Sequence, residues 1–230
     1  EDEAFAHAAE FLRSEASRTQ PFLLWLAPNQ PHVPLLAPQA YLDLYKDVNV
    51  TLDPNWRESP LQESFFNQGV PGEDYYRDGI VQKEGEPVRW GPPRTEEEMK
   101  HFIRNYYAVI SHMDAQIGAL IEALKASGHY ENTYVLFLSD NGYHLGNHGL
   151  GNKITMHEES VRIPMFIHSP RLPQTGKRSP ALVSSLDVFP TLLALAGAEI
   201  PEQAMGRSLL PILERPGNGL RAYVASECVG

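Results

Sequence analysis

Hydrophobic residues recur along this chain with two different periods. Between Thr95 and Gly128, Met99, Phe102, Ile103, Tyr106, Ile110, Met113, Ile117, Leu120, Ile121 and Leu124 keep the i, i+3, i+4 spacing of an amphipathic helix. Thr95 and Glu98 form a capping-box pattern at its start, Glu96 and Glu97 suit the positive end of the helix dipole, and Gly128 is the expected stop. Phe5, Ala8, Ala9, Leu12 and Ala16 predict a first helix over residues 3–17, and residues 184–196 predict a late one, with Pro190 tolerable only near its first turn. Short runs of apolar residues without helical spacing predict strands at Pro21–Ala27 (PFLLWLA), Tyr134–Leu138, Ile163–His168 and, at the tail, Ala222–Ala225. The first two are apolar throughout, the mark of strands covered on both faces.

Helix, buried strand and polar loop in succession is the grammar of a parallel α/β sheet. Pro28, Pro31, Pro34 and Pro38 after the first strand forbid helix or central strand, and they place His32 in a rigid turn. Residues 41–93 carry prolines, glycines and scattered aromatics without a period. They predict a long irregular excursion that covers the site and shapes substrate choice.

Composition narrows the function. Nineteen basic against 29 acidic residues give a net charge of −10, with no clustered basic stripe, which argues against nucleic acid as a partner. No apolar run reaches the roughly 18 residues that cross a bilayer. The single cysteine, Cys228, excludes an intramolecular disulfide and a cysteine-based zinc cluster. The chain opens on Glu1 without an initiator methionine and closes on SECVG, so a fragment of a longer polypeptide is expected.

The chemistry concentrates in Thr133–Lys153 (TYVLFLSDNGYHLGNHGLGNK). Asp140 and Asn141 stand just past a strand end, where open α/β sheets bind ligands. A carboxylate beside an amide oxygen is a ligand set for a hard cation, Ca²⁺ or Mg²⁺; Asp-Asn-Gly is equally the chemistry of an Asx turn. Lys153 follows four glycines, so backbone N–H groups and an ammonium can converge on one oxyanion, although a solvated loop lysine is the commoner fate. Ile154 after Lys153 rules out the phosphate-binding GxxxxGK[ST] loop. His144 and His148 are four apart, but the glycines around them disfavour a helical zinc pair and no HExxH glutamate is present. Hydrogen-bonding or substrate-facing roles stand level with plain surface positions for both. His32 fits a general acid and a structural histidine alike.

Four stretches in order resemble the second half of a sulfatase catalytic domain, of the alkaline-phosphatase-like superfamily. They are PFLLWLAPNQPHVPLLAP, YYAVISHMDAQIGALIEAL, LFLSDNGYHLGNHGLGNKITMHEESVRIPMFIHSP, and SSLDVFPTLLALAGAEIP with GRSLLPIL. The third is the most specific, with its lysine 13 places after the aspartate. The resemblance implies an α/β/α sandwich with a mostly parallel central sheet, incomplete at its N-terminal side. The resemblance covers nearly the whole chain except 41–93, and the partial catalytic domain it implies spans residues 1–230, with 41–93 as an irregular substrate-side excursion and 181–230 as closing helix and tail. It also implies Ca²⁺-dependent cleavage of a sulfate ester on a small molecule or glycan, in a periplasmic, secreted or lysosome-like setting. Asp140 and Asn141 match two Ca²⁺ ligands, Lys153 the lysine that holds the sulfate and leaving-group oxygens, and His32 a histidine that helps protonate the leaving alcohol. The family's nucleophile, a formylglycine made in a C/S-x-P-x-R motif, and its upstream aspartate pair, lysine and histidine have no match here. Cys228, followed by Val229 and Gly230, does not fit that motif, so the chain alone is expected to be inactive. A phosphomonoester or phosphonate hydrolase of the same superfamily, or an inactive binding domain of that fold, are the alternatives.

Overall fold

A capping box starts the longest helix. Thr95 Oγ1 accepts from the Glu98 N–H at 3.2 Å, and the Glu98 carboxylate accepts from the Thr95 N–H at 3.1 Å. Two orphan donors of the first turn are thereby satisfied. The computed structural model describes residues 2–56, 95–153, 155–173 and 176–227. Its helices are α1 (Asp2–Arg13), α2 (Glu15–Thr19), α3 (Gln39–Tyr45), α4 (Glu96–Ala126), α5 (Glu158–Val161), α6 (Val188–Leu195) and α7 (Leu210–Glu214). Its strands are β1 (Val135–Leu138), β2 (His144–Leu145), β3 (Gly151–Asn152) and β4 (Met165–His168). The chain forms two units, residues 1–129 with 143–154 and residues 130–142 with 155–230.

In the first unit α4 is the platform. Met99, Phe102, Ile103 and Val109 are buried on one face with Leu35 and Val50, and Val33, Leu52, Trp56, Tyr106, Tyr143 and Leu145 pack against them. Removing a side chain as fully buried as Phe102 costs about 3–5 kcal/mol in comparable cores. α1 and α3 also pack on α4, α1 through Phe5, Ala8 and Leu12. Gly128, at φ +82, ends the helix as expected.

The expected first helix is two. Ser14 takes an extended conformation (φ −72, ψ 162) and caps α2, accepting from the Ser17 N–H. The break turns Ala16 outward and buries Ser17, whose hydroxyl donates to the Leu12 and Ser14 carbonyls. The expected strand at Pro21–Ala27 is absent. None of its residues joins a ladder among the described residues, and Leu23 and Trp25 are 72% and 69% exposed. Its apolar content is used locally instead, Phe22 packing edge-on against Phe11 and His129. The excursion expected at 41–93 begins inside α3, and its residues 57–93 lie outside those described.

The second unit holds β1 and β4, which pair antiparallel from Val135 opposite His168 to Leu138 opposite Met165. At the strands described the pairing is antiparallel where a mostly parallel sheet was expected; the residues between β1 and β4 hold the β2–β3 hairpin and the four-residue α5 rather than a covering crossover helix. β1 is also half-buried rather than covered on both faces; among the described residues its one ladder partner is β4, and Phe137 stacks on Phe166, which stays 52% exposed. The strand expected at Ala222–Ala225 forms no ladder among the described residues, and Tyr223 is 78% exposed.

The late helix is as expected, opening with a 3₁₀ turn at Ser185–Asp187 capped by Ser184, and Pro190 is the third residue of α6. Asp187 has no exposed surface. Its carboxylate accepts from Arg221 Nη1 and Nη2 at 2.8 and 2.6 Å and from the N–H groups of Ser184 and Arg207, both at 2.8 Å. Burial alone would push this carboxyl up, but the Arg221 fork and the two N–H groups outweigh it and hold it below the ordinary carboxylate range. A depressed carboxyl contributes stability above its unfolded-state value of about 3.9 and loses it as pH falls through the lower folded value. Arg221→Leu is therefore expected to destabilise the protein by about 3 kcal/mol or more at neutral pH, leaving the carboxylate buried without its counter-charge. The loss of stability below about pH 4 should also shrink in that variant. Urea unfolding at a series of pH values measures both effects, and parental midpoints would contradict the pairing.

Candidate active site

Asp140 and Asn141 follow directly on β1, one residue beyond Ser139. The Asp140 carboxylate is exposed, and one of its oxygens accepts the Asn141 N–H at 3.0 Å. Ser139 Oγ donates to the Asn141 carbonyl at 2.6 Å, so the strand exit is held as a tight turn. The next residue anchors it. Gly142 N–H donates to the Ser160 carbonyl at 2.7 Å, and a Cβ on Gly142 would stand 2.0 Å from the Glu159 carbonyl oxygen. Only glycine admits that approach.

This turn presents hard oxygen donors, which suits Ca²⁺ or Mg²⁺ rather than a soft metal. Two residues are a fraction of the six to eight oxygens that Ca²⁺ takes. Among the described residues no group of three or more His, Cys, Asp or Glu converges on one point. Asp140 and Asn141 would thus furnish part of a coordination shell.

His32 and Lys153 belong to the first unit, Asp140 and Asn141 to the second. His32 is half-buried in the proline turn, its N–H bonded to the Asn29 carbonyl at 2.9 Å. Its Nδ1 lies 2.7 Å from the Val33 carbonyl oxygen. A carbonyl only accepts, so Nδ1 carries a proton and Nε2 is the nitrogen that gains or loses one. Val33 and Leu35, which follow, pack into the cluster on α4 and fix the turn to it.

Lys153 is half-buried and directly follows β3. The β2–β3 hairpin that carries it pairs His144 with Asn152 and Leu145 with Gly151. Leu145 and Tyr143 root the hairpin on α4, where the Tyr143 ring stacks on Phe102 and Tyr106 with centroids 6.3 and 5.8 Å apart. His144 is fully buried, so it is not a surface position. Its ring meets the His148 ring edge-on at 6.2 Å, and the hairpin turns through a 3₁₀ segment rather than a helix, as the glycines foretell.

Sequence reasoning missed Asp53 and Asn55. Asp53 accepts from the Asn147 side-chain amide, and Asn55 Nδ2 lies 3.3 Å from His148 Nδ1. The partners are 94 and 93 positions apart, a distance over which no periodic signal acts.

Comparison with known proteins places these observations. A family model described as Sulfatase matches residues 1–198. The chain belongs to the sulfatase family. A sulfatase from Formosa agariphila is 32% identical over 211 residues, covering 92% of this chain and 39% of that protein. The crystal structure of a putative sulfatase, yidJ, from Bacteroides fragilis matches with a TM-score of 0.71 at 31% identity, over 94% of this chain and 41% of that one. A phosphonate monoester hydrolase from Silicibacter pomeroyi shares the fold, with a TM-score of 0.74 at 24% identity over 93% of this chain and 42% of that one. The alkaline-phosphatase-like α/β fold is therefore that of this chain's family, and the chain spans about two fifths of the length of these relatives.

The close approach at Gly142 gives a direct check. Gly142→Ala is expected to cost about 1–3 kcal/mol of stability, the usual range for overpacking. Urea unfolding of the variant measures it, and an unchanged midpoint would contradict the contact with Glu159.

Proposed function

We propose that the chain contributes the metal-binding and leaving-group side of a Ca²⁺-dependent sulfuric ester hydrolase, whose formylglycine nucleophile comes from outside these 230 residues. The observation that supports this most is the match of residues 1–198 to the sulfatase family; the spacing of Asp140, Asn141 and Lys153 resembles that family's motif. In this reading Asp140 and Asn141 hold Ca²⁺ through their side-chain oxygens. The cation, when bound, supplies Lewis-acid stabilisation of charge on the sulfate oxygens.

The other residues act on the ester directly. Lys153 sets a compact positive charge against the sulfate and bridging oxygens, where negative charge grows as the S–O bond breaks. Its ammonium has three donors and tolerates rearrangement of those oxygens. His32, with Nδ1 committed to the Val33 carbonyl, offers Nε2–H to the departing alkoxide as a general acid. The substrate class is a sulfated small molecule or glycan, and residues 41–93 shape the choice among them. No helix among the described residues is long and apolar enough to cross a membrane.

Two substitutions in the complete enzyme test the reading. Lys153→Ala should lower kcat/KM for an aryl sulfate by about 100-fold or more while the protein stays folded by circular dichroism. Unchanged turnover would remove Lys153 from the site. Asp140→Ala should weaken Ca²⁺ binding in calorimetry, and an unaltered affinity would contradict its role as ligand. Turnover of the monoester p-nitrophenyl phenylphosphonate in preference to the aryl sulfate would favour a phosphonate hydrolase instead.

A further inference from the structure

We propose that Asp53 and Asn55 are positioning residues that fix the Lys153 hairpin; this rests on the role given to Lys153 above. The hairpin is short, each strand being two residues long, so its own ladder does little to hold it. Its base is rooted on α4 through Tyr143 and Leu145, and Gly146 sits so close to Met99 that a Cβ there would lie 2.9 Å from the methionine methyl carbon.

The turn at the other end is where the backbone is unusual. Gly146, His148 and Gly149 all have positive φ, of 94, 57 and 66, and His148 is the one non-glycine residue so placed among those described. A side-chain-bearing residue in the left-handed region persists where surrounding contacts hold it. Asp53 and Asn55 provide such contacts to two successive turn residues: the Asp53 carboxylate takes the Asn147 amide, and the Asn55 amide meets His148 Nδ1. The 52–56 segment is itself fastened, since Leu52 and Trp56 on either side pack into the α4 cluster.

The hairpin is thus gripped at both ends by groups that share one core, and Lys153 leaves its second strand directly. A charge that stabilises a transition state depends on its position more steeply than a charge that merely attracts substrate. Loosening the turn should therefore reduce kcat more than it raises KM.

The test uses the complete enzyme with p-nitrophenyl sulfate as probe. Asp53→Ala and Asn55→Ala should each lower kcat about tenfold, with KM changing less than about threefold. Asp53→Asn, which keeps an acceptor oxygen for the Asn147 amide, should restore most of the loss. Placed on a Lys153→Ala background, neither alanine should lower kcat further, because their effect passes through that lysine. Additive losses on that background, or failure of Asp53→Asn to rescue, would overturn the proposal. Full activity of both alanine variants beside an impaired Lys153→Ala enzyme would sink the positioning role alone, whereas an unimpaired Lys153→Ala enzyme would sink the role of Lys153 itself.

Discussion

The buried face of α4 is the constraint on which the first unit depends. Met99, Phe102, Ile103 and Val109 gather segments from far apart in the sequence: the stretch after the His32 turn, the residues around Val50 and the hairpin that ends at Lys153. None of these has enough regular structure to stand alone. The His32 turn contains no ladder, and the hairpin strands are two residues each. A helix of 31 residues with a sealed first turn gives them a stiff surface, and apolar burial there outweighs the entropy of ordering loops. The candidate site residues of this unit, His32 and Lys153, are thus carried by irregular backbone that a regular element holds in place.

The second unit is organised by charge more than by apolar area. Its sheet is two strands with half-exposed faces, and its helices are short. At its centre lies a fully buried carboxylate with four donors directed at it, two from one guanidinium and two from the backbone. Such a group is costly to bury and more costly to leave unmatched, so it selects one arrangement of the segments around it.

Features governed by local chemistry were legible in the sequence. The Thr95–Glu98 cap, the Gly128 stop, Pro190 in the first turn of α6 and the turn after β1 each follow from a few neighbouring residues. Features that need a distant partner were not. PFLLWLA reads as a buried strand because composition alone cannot reveal whether a neighbour will pair with it. Helix 3–17 fails at Ser14, where a hydroxyl that competes for backbone donors outweighs the apolar period on both sides. Asp140, Asn141, Lys153 and His32 stood out through residue type and spacing, while Asp53 and Asn55 carry no local mark. Asp187 carries no local mark of its partner either, since Arg221 lies 34 positions away.

That last pairing bears on where this module ends. The family-model match stops at residue 198, yet Asp187 inside it is neutralised by the Arg221 guanidinium and accepts the Arg207 backbone N–H, 34 and 20 positions downstream and both beyond that match. A charge pair therefore ties residues inside the family-model match to residues beyond it. A boundary drawn at residue 198 would cut a buried anion from its cation.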